Sequence, residues 1–169
     1  DILPRFDTDL AKRLRQSLGK RGIEINTQAQ VTGISSVIPA EAEGLLGKPV
    51  YNVSFTRKGK EETVEADKVL MAVGRRANVG SLNLADAGIE FTTRGIPVND
   101  FMQTNVPHIY AVGDINGKMM LAHAATFQGV VALDHIMGFE NGIDLSVMPA
   151  AVFTSPEAAA VGMTEDECK

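Results

Sequence analysis

The residues best placed for ligand chemistry are Gly113 and Asp114, which close the stretch Thr104-Asn105-Val106-Pro107-His108-Ile109-Tyr110-Ala111-Val112-Gly113-Asp114. Pro107 biases Val106 towards extended backbone. Ile109 to Val112 is a compact apolar run of the kind found in buried parallel strands. The pattern predicts a strand that ends at a glycine, with a carboxylate at its carboxyl end, where open α/β sheets bind ligands. An ionised carboxylate only accepts hydrogen bonds, so Asp114 suits the hydroxyls of a sugar or polyol and would repel a phosphate. A second stretch has the same design. Val69, Leu70, Met71, Ala72 and Val73 form a continuous apolar run that ends at Gly74, followed by Arg75 and Arg76. A glycine at such a strand end lets a ligand lie close to the backbone.

The other reactive side chains carry less. His123 stands in Met120-Leu121-Ala122-His123 and has the residue type of an acid or base, but a structural role is the expectation for it. Cys168 is the single cysteine, which excludes an internal disulfide and fits a reducing, cytoplasmic compartment. It is expected to be an ordinary helix residue. The net charge is −5, with acids and bases mixed along the chain, so neither nucleic acid nor an anionic membrane surface is implied as a partner. The apolar runs are strand-sized and too short to span a bilayer. No signal-peptide pattern opens the chain. No metal-ligand cluster is expected.

The stretch ending at Asp114 resembles the second FAD-binding motif of the pyridine nucleotide–disulfide oxidoreductases, and Met120-Leu121-Ala122-His123 resembles the dihydrolipoamide dehydrogenase branch of that family. The resemblance implies that Asp114, beside Gly113, hydrogen-bonds the ribityl chain of FAD. It also implies that the backbone of Met120, Leu121, Ala122 and His123 opens a helix beneath the flavin ring, where helix N-terminal amides favour negative charge. Ala72-Val73-Gly74-Arg75 resembles the segment that borders the nicotinamide side of NAD. Val31 aligns with a position near the NAD adenine, although by its own pattern it is plain strand core. Two departures stand out: Ala77 where the family usually has proline, and Ala124 where it commonly has lysine. The family's reaction passes electrons from dihydrolipoamide to a disulfide, then to FAD, then to NAD⁺. The resemblance places the disulfide, the glycine-rich phosphate loops and the histidine–glutamate dyad outside these residues, so no catalytic residue is expected here. It implies a homodimer that serves the lipoyl domains of 2-oxo acid dehydrogenase complexes. Glutathione or mercuric reductase-like relatives, and a self-associating α/β module without ligand, are the alternatives.

The elements that must position these residues follow from the remaining patterns. Leu10, Leu14 and Leu18 recur at helical spacing between Asp7 and Lys20, with Gly22 as the residue that ends the helix. Ile23 to Ile25, Val31 to Ile38, Tyr51 to Arg57 and Thr63 to Ala66 read as strands, with Lys58-Gly59-Lys60 as a turn and a loop over Pro39 to Pro49. The antiparallel layer they make is expected to pack on a helix. Leu82 to Asp100 is a connector with turns at Gly88 and Gly95, and Ala122 to Met137 is apolar on more than one face, which predicts a buried helix stopped by Gly138. Pro149 to Glu157 resembles the opening of the family's dimerisation domain. Thr164-Glu165-Asp166-Glu167 is a capping box that announces a further helix. Both ends look internal to a longer protein. The expected fold is α/β: partial FAD/NAD(P)-binding (three-layer β/β/α) domains plus the start of an α+β dimerisation domain. Residues 1–80 would close an NAD domain, 81–147 would return to an FAD domain, and 148–169 would begin the interface domain.

Overall fold

The computed structural model describes residues 2–37, 49–140 and 142–169. They divide into two compact units, Asp1–Val73 and Gly74–Lys169. In the first unit α1 (Thr8–Lys20) buries Ala11 and Leu14. Its end is a Schellman turn: Ile23 N–H donates to the Leu18 carbonyl and Gly22 N–H to Gly19, with Gly22 at φ +82. The chain then runs into β1 (Ala29–Val37) without the strand expected at Ile23–Ile25. That piece is too short to hold extended pairing without a neighbour, and no described strand lies against it.

Strands β1, β2 (Val50–Arg57) and β3 (Lys60–Ala66) form one antiparallel sheet in the order β1-β2-β3. Ile34, Val53 and Val64 line up across it, and Phe55 is its buried member. Lys58 and Gly59 both take left-handed backbone, the pairing that matches a tight hairpin to the twist of its strands. Beside this turn the Arg57 guanidinium forks onto Glu62 at 3.1 and 3.0 Å. The expected helix across this layer is not seen among the described residues, since β1 is exposed from Gln30 to Val37. The loop expected at Pro39–Pro49 lies, apart from Pro49, outside the described residues.

The continuous strand expected at Val69–Val73 is also corrected. The segment is irregular, with Leu70 and Val73 each 89% exposed. An apolar run becomes a buried strand only when neighbouring strands satisfy its backbone, and none of the described ones pairs with it.

The second unit gathers around Leu84, Ile89, Ile96 and Ala111, with Val98, Val106, Ile109 and Ile115 packed against them. Gly88 and Gly95 make the expected turns, at φ +68 and +137. Ile109–Val112 is not a full strand. It doubles back antiparallel on Met102–Thr104 through a bridge between Gln103 and Tyr110, and Ala111 N–H donates to the Met102 carbonyl. Thr104 sets that return, because its Oγ1 accepts from Val106 N–H and donates to the Ile109 carbonyl. Ala111 is buried, but Val112 remains 40% exposed.

Helix α2 (Ala122–Met137) has the expected bounds and ends at Gly138 in left-handed backbone. It is not buried all round. Ala124, Gln128, Val131 and Ala132 face inward, whereas Phe127, Val130, Leu133 and Ile136 are exposed. A short hairpin, β4 (Ala150–Val152) with β5 (Ala158–Ala160), follows. At Thr164 the capping box closes: Thr164 N–H donates to Glu167 Oε2 at 2.8 Å and Glu167 N–H returns to Thr164 Oγ1. Only a turn over 165–168 follows, so Cys168 stands in a turn and not in the expected helix.

With Leu70, Val73, Phe153 and the outer face of α2 all exposed, these residues by themselves are expected to self-associate. Sedimentation at micromolar concentration checks this. One monomeric species with a sharp cooperative thermal transition would contradict it.

Candidate functional site

Gly113 takes φ +81, and a methyl group added there would meet the Ala125 Cβ at 3.2 Å. The glycine therefore does two things: it permits the left-handed turn and lets the backbone lie against the first turns of α2. Gly113–Asn116 continue as one 3-10 turn, with Asp114 as its second residue. The Asp114 carboxylate is about two-fifths exposed, and its Oδ2 lies 3.6 Å from Nη2 of Arg75. Arg75 was expected on the nicotinamide side of the family site, yet it meets the residue expected on the flavin side. Both groups reach solvent, so the pair contributes at most about 1 kcal/mol to stability. It leaves most of the carboxylate's acceptor capacity open.

Beside this turn stands the start of α2. Its N-cap is Leu121, which makes no side-chain capping bond. A leucine cannot accept from the first-turn amides, and those amides gather the positive end of the helix dipole. Met120 and Leu121 are half-buried, and Ala122 and His123 are exposed. His123 Nε2 donates to the Pro149 carbonyl at 2.7 Å. Its side chain is thus tied to backbone, while its amide belongs to the helix opening.

The structure thus brings together Gly113, Asp114, Arg75 and the Met120–His123 segment within one unit. The remaining expected residues are more scattered. Gly74 is exposed at φ +113 in the same unit. Ala72 and Val73 are exposed in the irregular end of the first unit. Val31 lies on β1 at a bulge between Val31 and Gly33, and is 58% exposed, so it is not strand core. A groove of about 550 Å³ lies between Ile34 and Tyr51 of the sheet and the segment Asp67–Met71.

A cavity of about 440 Å³ in the second unit is lined by Asp100, Met102, Lys118, Gln128, Asp144 and Met148 among others, and by none of the expected cofactor residues. There Ser146 hydrogen-bonds the Asp144 carboxylate and holds its pKa below the ordinary value. Among the described residues no group of three or more His, Cys, Asp or Glu is placed to hold a metal. Likewise no described helix is long and apolar enough to cross a membrane.

Sequence reasoning missed the polar support beneath the turn. Gln128 is 3% exposed and Asn116 8%. The Gln128 side-chain oxygen accepts from Gly113 N–H at 2.7 Å and from Asn116 Nδ2 at 2.8 Å, and Asn116 Nδ2 also donates to the Ala111 carbonyl. The available signal was a lone amide at the core-facing spacing of Ala124, Val131 and Ala132, on a helix face that is otherwise apolar.

The family described as pyridine nucleotide-disulphide oxidoreductase matches residues 1–129. The chain belongs to that family. A dihydrolipoyl dehydrogenase of Bacillus subtilis is 42% identical over the whole chain, which covers 34% of that protein. One from Synechocystis is also 42% identical, with 35% of its length covered. Among solved structures, LpdA of Mycobacterium tuberculosis superposes with a TM-score of 0.78 at 31% identity, over 98% of this chain and 34% of its own. The flavoprotein disulfide reductase RclA of Escherichia coli follows at 0.72 and 26%, over 99% of this chain and 36% of its own. The chain spans about a third of the length of these relatives.

Proposed function

We propose that these residues form part of a longer dihydrolipoyl dehydrogenase, in which they supply the contact to the FAD ribityl chain and flavin ring and one border of the NAD site. The carrying observation is Asp114, an acceptor-only carboxylate beside a helix whose leucine cap leaves its first amides to an outside acceptor. In this reading Asp114 accepts from ribityl hydroxyls, Gly113 gives the ligand close approach, and the backbone of Met120, Leu121, Ala122 and His123 faces the flavin ring. Gly74 and Arg75, with Ala72 and Val73, border the nicotinamide, and Val31 meets the adenine. Bound FAD supplies the relay of electrons between a disulfide and NAD⁺. The chain's own part is to hold and orient it, with the α2 amides favouring negative charge at the ring. Residues 1–80, 81–147 and 148–169 would be the end of the NAD domain, the returning FAD segment and the start of the interface domain.

The whole protein would be a cytoplasmic homodimer that oxidises the dihydrolipoamide of lipoyl domains in 2-oxo acid dehydrogenase complexes. Identity of 42% to two dihydrolipoyl dehydrogenases supports this reading over the sister reductases. The test is dihydrolipoamide-dependent reduction of NAD⁺ by the longer protein. Activity only with another disulfide substrate would move it to the reductase side, towards which the likeness to RclA points.

The 169 residues contain no Gly-x-Gly-x-x-Gly loop, the device that seats a dinucleotide pyrophosphate on a helix N-terminus. Expressed by themselves they are expected to bind neither FAD nor NAD tightly and to form no NADH from dihydrolipoamide. Equilibrium dialysis and a spectrophotometric assay check both statements, and turnover would refute them.

A further inference from the structure

The geometry points to Gln128 as the positioning residue of the flavin contact, an inference that rests on the reading of Asp114 just given. A backbone N–H can only donate, so the Gln128 atom 2.7 Å from Gly113 N must be its oxygen. The same oxygen takes the second bond from Asn116 Nδ2, whose amide nitrogen is fixed in turn by the Ala111 carbonyl at 3.0 Å. Asn116 Oδ1 then accepts from Lys118 N–H just beyond the turn. One buried amide on α2 therefore grips both ends of the Gly113–Asn116 turn, and Asp114 is the turn's second residue. The helix that carries the grip also opens at Ala122, with the amides assigned to the flavin ring. Gln128 thereby fixes the carboxylate and the helix opening in one frame, as a contact needing both at once requires.

Removal of the amide oxygen leaves Gly113 N–H without its buried acceptor and the Asn116 amide with only the Ala111 carbonyl, and the turn reorients to recover partners. The loss then falls on Asp114. The test is a double-substitution cycle on FAD affinity in the longer holoenzyme, after reversible removal of flavin. Gln128→Leu is expected to weaken FAD binding at least about 5-fold in the native background and less than about 2-fold when Asp114→Ala is already present. Gln128→Glu keeps an acceptor oxygen in place and is expected to bind FAD more tightly than the leucine variant.

Equal loss in both backgrounds, or glutamate no better than leucine, would overturn the proposal and leave Gln128 a packing residue. If the leucine variant does not accumulate folded, Gln128→Met, with only a weakly accepting sulfur, carries the same comparison. A failure of the flavin assignment is distinguishable, because Asp114→Ala alone would then leave FAD affinity unchanged.

Discussion

Replacement of Asp114 by alanine in the longer protein is expected to weaken FAD binding by one to two orders of magnitude. The carboxylate is partly exposed, held at the head of a short turn, and offered to hydroxyl donors beside an uncapped helix start. A hydrogen bond to a charged group contributes about 1.5–3 kcal/mol, and the upper end of that range is about a 150-fold change in affinity. Asparagine at the same place keeps one acceptor oxygen without the charge, so Asp114→Asn should fall between alanine and the native protein. Arg75 refines the expectation. Its guanidinium loses a partner 3.6 Å away in either variant, but two solvent-reaching groups lose little. Arg75→Met should therefore change thermal stability by less than about 1 kcal/mol. Flavin titration of the apoprotein followed by fluorescence reads the affinities, and equal affinity in Asp114→Ala and the native protein would refute the assignment.

The second large effect is structural. Gly117 takes φ +68, and a Cβ added there would run into the backbone carbonyl of Arg94. Gly95 makes the reciprocal approach, with an added Cβ 2.6 Å from the Ile115 carbonyl oxygen. Ile96 N–H donates to that same Ile115 carbonyl at 2.9 Å, so the two strips of backbone are locked together. Neither atom met is a flexible side-chain end, so the backbone itself must move. Gly117→Ala is expected to cost at least about 3 kcal/mol, combining left-handed strain with displacement of a backbone contact. Gly138→Ala is the control. It has φ +72 but nothing within 4 Å of the added methyl, so only the strain of about 1 kcal/mol remains. Thermal unfolding of the two variants should show the larger loss at Gly117, and equal losses would contradict this account of the 94–117 contact.

The elements with local determinants were legible in the sequence. Helical spacing before a terminating glycine marked α1, an apolar run stopped by Gly138 marked α2, and alternation with a Lys-Gly turn marked β2 and β3. The capping box at Thr164 needs only neighbours in sequence and makes its hydrogen bonds, although a turn rather than a helix follows it. Elements that depend on a partner were not legible in the same way. Val69–Val73 and Ile109–Val112 have the composition of buried strands, but composition does not say what pairs with them. The first stays exposed and the second folds back on Met102–Thr104.

The site shows the same division. Asp114 and the Met120–His123 opening were visible as local motifs. The approach of Arg75 to Asp114 and the bonds from Gln128 to Gly113 and Asn116 join positions far apart in sequence. A side chain's type announces what it can bond, and only the fold decides to what.

The most direct test of the flavin assignment is a crystal structure of the longer protein with FAD bound. Density is expected for the ribityl chain with a hydroxyl within about 3 Å of an Asp114 carboxylate oxygen, and for the flavin ring over the amides of Met120–His123. FAD seated elsewhere, with Asp114 facing only water or Arg75, would contradict it.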